Sequence, residues 1–354
     1  MNALTIYIMG TFFRWLPHRA PTGLRAIGAP DETSPVLVTS NYSLTVARVL
    51  RSLKELNVWL LVANSNGINV WCGASGGTFT DHQVISAVKT SVLAEKVTHR
   101  ALILPPLSAP GMDHDRIRKE TGFNVRFGPV RAKDIPDYLA AGMEKTEEMK
   151  RADFGLTHRM DMLVSMNFII WAPVALVFAI VRPQRLVHLS ALFWGIVVFL
   201  YIFFPLVPGS GGWRKSLTAA GLLVAGYLTA GYFRADGLFV YWPWMVGGTA
   251  LALAVGFDLA GIAAPLPSEA EAFAHKMGLG SFGPLFGERT LGRIAHDRGK
   301  CTGCLTCHEI CPVGAYDPDT ANKKAILTRP DDCLSCGACV KQCPERALSL
   351  TRPD

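Results

Sequence analysis

Charge is scarce in this chain. Asp, Glu, Lys and Arg make up 18% of its 354 residues, while 50% are hydrophobic. The net charge of +7 comes without a dense Lys/Arg run or a basic motif interleaved with aromatics, which excludes nucleic acid as a partner. An excess of Lys and Arg beside membrane spans accounts for it. No G-x-G-x-x-G follows the first expected strand, and there is no Walker lysine motif. The glycine-rich Gly73-Ala74-Ser75-Gly76-Gly77 is by itself weak ground for a phosphate loop. No cluster of His, Asp and Glu marks a hydrolytic metal site, because His82, His99, His114 and His158 are scattered. Cysteine is nearly missing from the first 300 residues, where Cys72 stands alone.

The other cysteines are concentrated. Eight of the nine lie in the last 54 residues, in two copies of C-x2-C-x2-C-x3-C-P. Cys301, Cys304, Cys307 and Cys311 precede Pro312, and Cys333, Cys336, Cys339 and Cys343 precede Pro344. This is the bacterial two-cluster ferredoxin run, in which the fourth cysteine of each copy reaches the other cluster. Cys301, Cys304, Cys307 and Cys343 are therefore expected to hold one [4Fe–4S] cluster, and Cys311, Cys333, Cys336 and Cys339 the second. A zinc site would use C-x2-C pairs without the third cysteine and the proline. Cluster ligands, unlike a disulfide framework, point to a reducing, anaerobic cytoplasm. Residues 293–354 read as an α+β dicluster ferredoxin domain.

Apolar stretches at 162–181, 186–206, 217–233 and 238–257 are each near the roughly 20 residues that cross a hydrocarbon core. Trp171, Trp194, Trp213, Tyr232, Tyr241 and Trp244 supply aromatic residues, several near the ends, where interfacial belts form. Pro173 inside the first stretch is tolerable in a spanning helix. Residues 160–264 are thus expected to form a transmembrane bundle of about four helices, embedded in the lipid bilayer. Four spans put both soluble domains on one side, and a ferredoxin meets its reductant in the cytoplasm. The expectation is a multi-pass cytoplasmic-membrane protein. Residues 265–292 read as a Pro/Gly linker, and residues 1–34 as an N-terminal segment that begins with an amphipathic stretch or an added strand.

Residues 35–150 alternate strand and helix patterns, which predicts a Rossmann-like α/β domain with a mainly parallel sheet. Strands are expected at 35–40, 58–63, 101–107 and 124–127, with 69–72 extending another. Helices are expected at 44–53, from Thr80 to about Lys96, at 114–120 and at 136–143. Thr80 with Gln83 reads as a capping box. Ligands of such sheets sit at the strands' carboxyl ends, here loops 69–79, 105–111 and 128–132.

Cys72 taken alone reads as a packed thiol. Its surroundings change that reading. Asn69-Val70-Trp71-Cys72 followed by Gly77-Thr78-Phe79 resembles the signature of the corrinoid protein family of mercury methylation, HgcA. The similarity continues at Pro35-Val36-Leu37-Val38-Thr39, Asn41-Tyr42, 104–111 and Gly128-Pro129-Val130-Arg131-Ala132. The C-terminal cysteines resemble that family's separate ferredoxin partner, HgcB, here on the same chain. The resemblance implies a corrinoid (cobalamin-type) with Cys72 as lower axial ligand of its cobalt. Asn69, Val70, Trp71, Gly73, Gly77, Thr78, Ser108, Ala109, Pro110, Gly111, Gly128, Pro129 and Val130 would surround it. It implies membrane-anchored, corrinoid-dependent methyl transfer, with the ferredoxin reducing the cobalt and Hg(II) as acceptor. A methyl-donating protein or methyl-folate system and an upstream low-potential reductant would be partners. Two departures stand out. The family's lysine after the cysteine is missing from Cys72-Gly73-Ala74-Ser75-Gly76, and all eight C-terminal cysteines are used as cluster ligands, which leaves none of them to capture Hg(II). A methyl carrier for another acceptor, and a membrane electron-transfer protein without corrinoid, remain as alternatives.

Overall fold

The computed structural model describes residues 3–14, 16–152, 155–208, 212–233, 242–259, 293–319, 321–333 and 336–351. The expected linker 265–292 lies outside the described residues. The chain forms two compact units. One takes 16–153 with 293–351, and the other takes 1–15, 154–292 and 352–354.

The apolar unit starts with α1 (Ala3–Phe12). This is a helix without a charged residue, where an amphipathic stretch or a strand was expected. Phe12 meets Phe168 edge-on at 4.9 Å. In the redox unit, β1 (Gly23–Ile27), β2 (Val36–Ser40), α2 (Ser43–Ser52), β3 (Val58–Ala63), α3 (Val70–Ser75), α4 (Asp81–Thr90) and α5 (Leu93–Lys96) come first. Then follow β4 (Ala101–Leu104), a 3-10 turn at Pro106–Gly111, α6 (His114–Thr121), β5 (Asn124–Phe127), α7 (Ile135–Ala140) and α8 (Glu147–Lys150). The sheet order is β1-β3-β2-β4-β5. β2, β3, β4 and β5 run parallel, and β1 closes one edge antiparallel to β3.

The parallel strands are near-continuous apolar runs because both faces are covered. On one face Val36, Val38, Leu61, Leu102 and Leu104 pack with Val84 and Val88 of α4 and Ile117 of α6. On the other, Leu37, Leu60, Val62 and Ile103 pack with Val46 and Val49 of α2 and Tyr138 of α7. Each fully buried leucine contributes about 1.5–3 kcal/mol.

Three expectations need correction. β1 was not anticipated, because Gly-Leu-Arg-Ala-Ile is a half-buried edge with little alternation. Residues 69–72 do not form a strand. Asn69 caps α3, its Oδ1 accepting from the Cys72 N–H at 2.9 Å, and an apolar run this short carries no decisive period. The helix from Thr80 ends at Thr90, because Val92 adopts a left-handed φ of 52° and α5 starts anew. The Thr80 cap itself is present, its N–H donating to Gln83 Oε1 at 2.9 Å.

The apolar unit continues with α9 (Leu156–Val181), α10 (Leu186–Phe203), α11 (Gly212–Phe233) and α12 (Trp242–Leu259). Leu163, Phe193, Val197, Leu200, Tyr201, Ala252 and Val255 form its core. Among the described residues two helices, Met162–Val181 and Pro183–Leu206, are long and apolar enough to cross a membrane. Trp242–Gly256 is a shorter apolar helix, and α11 carries Arg214 and Lys215 in its first turn.

The rest of the redox unit consists of β6 (Arg293–His296) paired antiparallel with β9 (Leu348–Thr351), and β7 (Tyr316–Asp319) paired with β8 (Lys324–Leu327). Two short helices lie between them, α13 (Thr306–Ile310) and α14 (Ala338–Lys341).

Candidate redox and cofactor site

β2 has β3 on one side and β4 on the other, so the chain reverses its winding direction between β2 and β4. Ligands of open α/β sheets bind outside the carboxyl ends of the strands at such a point. The residues there are polar although buried. Thr39, Ser40, Asn41, Ser43, Ser65 and Ser108 all belong to the buried set. Asn41 Oδ1 accepts from the N–H of Ser65 (2.8 Å), the hydroxyl of Ser65 (2.9 Å) and the N–H of Gly67 (3.0 Å). That side chain ties the end of β2 to the loop after β3.

The same loop delivers Cys72 at the third position of α3, half-buried. α3 is wedged between two segments. A Cβ on Gly73 would stand 2.9 Å from Phe79 Cβ, and one on Gly111 would stand 2.6 Å from Phe79 O and 3.1 Å from Ala74 Cα. Only hydrogen at those two positions allows the 106–111 turn and loop 78–79 to close on the cysteine-bearing turn. Gly73 O also accepts from the N–H groups of Thr78 and Phe79, both at 2.9 Å. Val70 belongs to the core, Trp71 is half-buried and Gly77 is exposed.

Two buried polar atoms at this end, Ser40 Oγ and His18 Nε2, have no hydrogen-bond partner among the described residues. His18 stacks 4.5 Å from the Tyr42 ring, and its Nδ1 meets the Ser43 hydroxyl. Burial holds its imidazole below the usual range. An unpartnered buried polar group costs about 1–3 kcal/mol. A macrocycle rimmed with amide side chains supplies the missing donors and acceptors, and a thiol held at its face supplies a soft metal donor. The residues present fit a corrinoid.

The eight C-terminal cysteines gather as two groups of four. A cavity is lined by Cys301, Cys304, Cys307 and Cys343, with Ala325 and Glu345 at its wall. Among the described residues no three His, Cys, Asp or Glu side chains converge on one ion-sized point. The four thiols line one cavity together, and with their spacing along the chain they fit a cube of iron and sulfide. The Cys336 thiol interacts with the thiols of Cys339, Cys333 and Cys311, the second group. The two halves repeat each other: Ala315 N–H donates to Cys311 Sγ at 3.2 Å, and Ala347 N–H to Cys343 Sγ at 3.3 Å. Tyr316 adds an O–H donated to Cys339 Sγ at 3.2 Å.

Burial pushes the Cys307 and Cys336 thiols up to about 12 and the Cys339 thiol up to about 11, and it raises Cys311 as well. These thiols are protonated at neutral pH without a cluster and must lose their protons to bind iron. Their folded values lie above the unfolded thiol value of about 8.5. Their contribution to the cluster-free fold is therefore full below that value and is lost as pH rises through about 11 to 12. Cluster insertion has the opposite dependence and is favoured by rising pH. Anaerobic reconstitution at pH 7 in a pH-stat is expected to release at least about four protons per chain. Release of fewer than two would contradict these thiol environments.

The C-terminal half packs directly on the 106–111 turn. Ala109, fully buried, joins Ile310 and Ala338 in a small cluster bordered by Phe127 and Cys336. Gln342, next to Cys343, donates through Nε2 to Ala109 O (2.9 Å) and Met112 O (2.7 Å), and its Oε1 lies 3.1 Å from His114 Nδ1. Lys145 and Lys150 both pair with Glu309. Burial alone would raise the Glu309 carboxyl, but the two ammoniums hold it below the usual range. Ala152 N–H donates to Pro312 O at 2.9 Å.

Of the expected corrinoid neighbours, Asn69, Gly73, Thr78 and Gly111 gather around Cys72. Ser108 is buried with its hydroxyl donating to Pro105 O, and Ala109 faces the C-terminal half. Pro110 lies inside the 106–111 turn and is half-buried. Gly128 and Pro129 are buried, with Gly128 close against Ile103, while Val130 N–H donates to Met149 O. Sequence reading missed Ser40, His18 and Gln342. Asn41 was noted only as part of a motif. No local pattern marks Gln342, whose partners lie 230 and 233 residues away.

Comparison with known proteins divides the chain in the same way. Residues 14–139 match the family model described as CO dehydrogenase/acetyl-CoA synthase delta subunit, and residues 300–348 match a 4Fe-4S dicluster domain. The acetyl-CoA decarbonylase/synthase complex subunit gamma of Methanopyrus kandleri is 35% identical over 135 residues, covering 37% of this chain and 29% of that one. The subunit of the same name from Archaeoglobus fulgidus is 36% identical over 125 residues, covering 35% and 26%. The chain thus spans less than a third of the length of these relatives. One compact unit therefore joins a segment similar to the CO dehydrogenase/acetyl-CoA synthase delta subunit family to a 4Fe-4S dicluster domain.

Proposed function

We propose that this chain is a membrane-anchored, corrinoid-dependent methyl-transfer protein that carries its own electron supply. One observation carries the reading. Cys72 sits on an Asn69-capped turn wedged against the 106–111 segment, and the opposite side of that segment is packed by the iron–sulfur half.

A bound corrinoid would supply a cobalt that accepts and gives up a methyl group and must be re-reduced when spent. The protein's part is positioning. Asn69 fixes the turn that presents the Cys72 thiolate as a lower ligand. Gly73 and Gly111 let loop 78–79 and the 106–111 turn close on it. Ser40 and His18 offer polar atoms at its end, with Gly77, Thr78, Pro110, Gly128, Pro129 and Val130 along the adjoining loops. The two clusters, on Cys301, Cys304, Cys307 and Cys343 and on Cys311, Cys333, Cys336 and Cys339, bring electrons to within the same unit, where tethering raises their effective concentration.

The anchor rests on α9 and α10. Leu176, Ile180, Val187 and Leu206 face outward, and the most apolar window of Met162–Val181 is only 17% buried. A core helix of a water-soluble protein would hide those side chains, whereas lipid accepts them. Both soluble parts would then face the cytoplasm. The methyl donor would be a methyl-carrying protein or a methyl-folate system.

The Asn69-Val70-Trp71-Cys72 signature favours Hg(II) as acceptor. A second reading, a one-carbon carrier for another acceptor, is favoured by the relatives' names and by a cysteine set that holds Cys72 and the eight cluster ligands and no others. The deciding experiment is cobalt analysis and visible spectroscopy of protein purified without oxygen and reconstituted with cobalamin, beside Cys72→Ala. About one cobalt per chain is expected, with a spectrum that changes when Cys72 is lost. Iron and sulfide without cobalt would overturn the proposal and leave a membrane electron carrier. Methylmercury formation by cells expressing the protein separates the two acceptor readings.

A further inference from the structure

The two cysteine groups are placed unequally. Cys336 of the second group borders the Ala109 cluster, on the side of the Cys72 turn. No cysteine of the first group belongs to that cluster, and its Cys304 is exposed. The cavity of the first group has Ala325 and Glu345 in its wall. Next to its lining residues in the chain are Arg298, Lys300 and Arg346, Lys323, whose carbonyl lies against Gly303, all four exposed, and Lys324, whose Nζ donates to Arg298 O. Three acids share this rim. Asp297 is paired with Lys300 at 3.2 Å, Asp319 accepts from Asn322 at 2.8 Å, and Glu345 is exposed. Cations exceed acids there. The remaining acids of this half, including Glu309 and Asp317, lie elsewhere, Glu309 in the contact with Lys145 and Lys150.

Resting on the reading above, we propose that electrons enter at the first group and leave from the second, and that the basic rim docks a small acidic one-electron carrier protein. A cluster held by four thiolates is itself negative and repels an acidic partner, so a cationic rim is what allows such a partner to approach the exposed edge. The step balances without protons. The reduced carrier loses one electron, and the cluster on Cys301, Cys304, Cys307 and Cys343 gains it. That cluster then passes the electron to the one on Cys311, Cys333, Cys336 and Cys339 and returns to its oxidised state. Opposite charges at the rim act mainly on the association rate, and salt screens them over about 10 Å at 0.1 M.

The test uses the full chain with both clusters loaded and follows cluster bleaching after mixing with a small acidic 2[4Fe–4S] ferredoxin, reduced beforehand. At low ionic strength the second-order rate is expected to be fast and to fall as salt is added. Arg298→Glu with Lys300→Glu should slow it at least about tenfold, while reduction by methyl viologen radical cation stays as fast or faster. A rate in the unmodified chain that is flat or rises with salt overturns the proposal, whatever the variant does. A variant reduced by the acidic ferredoxin as fast as the parent also overturns it. Cobalt is measured in the same preparation. Salt-dependent reduction in protein that takes up no cobalt would sink the methyl-transfer reading and leave this entry surface standing.

Discussion

Gly111→Val is expected to prevent corrinoid uptake and to destabilise the redox unit by about 2–4 kcal/mol. The new Cβ would stand 2.6 Å from Phe79 O and 3.1 Å from Ala74 Cα. Both are backbone atoms of packed segments, so no rotamer change relieves the contact. Either the 106–111 turn or α3 must move. Moving α3 displaces Cys72, and moving the turn pulls Ala109 from Ile310 and Ala338. Overpacking of this kind costs about 1–3 kcal/mol, and the broken contact to the C-terminal half adds to it. Thermal unfolding and cobalt content would be compared with the parent. A variant with unchanged melting temperature and one cobalt per chain would mean that the two segments do not touch as described.

Gln342→Ala is expected to release the iron–sulfur half from the α/β half while both clusters remain. The side chain is 3% exposed and serves two backbone carbonyls; Ala109 O keeps the Met112 N–H at 3.3 Å, while the substitution takes the amide donor from Met112 O. At about 1–3 kcal/mol for an unsatisfied group, the cost is roughly 5- to 140-fold in the docked population. Gln342 is a positioning residue, since it touches neither cysteine group through its side chain. Iron and sulfide content should stay constant, proteolysis between the halves should accelerate, and cobalt reduction through the clusters should slow. Gln342→Glu, which keeps the shape but loses the amide donor, should behave like alanine. If alanine loses iron, the residue holds up the cluster domain itself and not the contact.

What the sequence revealed depended on how local each signal is. The eight cysteines could be read without any structure, because thiol spacing along a few residues is itself the chemistry. Thr80 with Gln83 was equally clear, since a cap satisfies its own helix end within four residues. The parallel strands were readable as apolar runs, while β1 was hidden because an edge strand needs no apolar alternation. Asn69 to Cys72 misled as a strand. Its apolar residues suit either structure, and the capping hydrogen bond that decides for helix comes from an Asn that a turn would also use. The Cys72 neighbourhood became legible only through its motif, because Asn41 and His18 reach the 65–67 loop before it from separate segments. The contact between the halves was beyond any local reading, as it joins residues more than 200 positions apart.

That last separation has a consequence for biosynthesis. The carbonyls of Ala109 and Met112 emerge from the ribosome 233 and 230 residues before Gln342. At about 5–20 residues per second, the α/β half waits on the order of ten to fifty seconds for the side chain that satisfies it. During that interval the four apolar helices α9 to α12 are being made, and the small apolar face around Ala109 stands open. The nascent redox unit therefore has a window in which a chaperone or cofactor-loading factor can reach the Cys72 end of the sheet before the iron–sulfur half arrives.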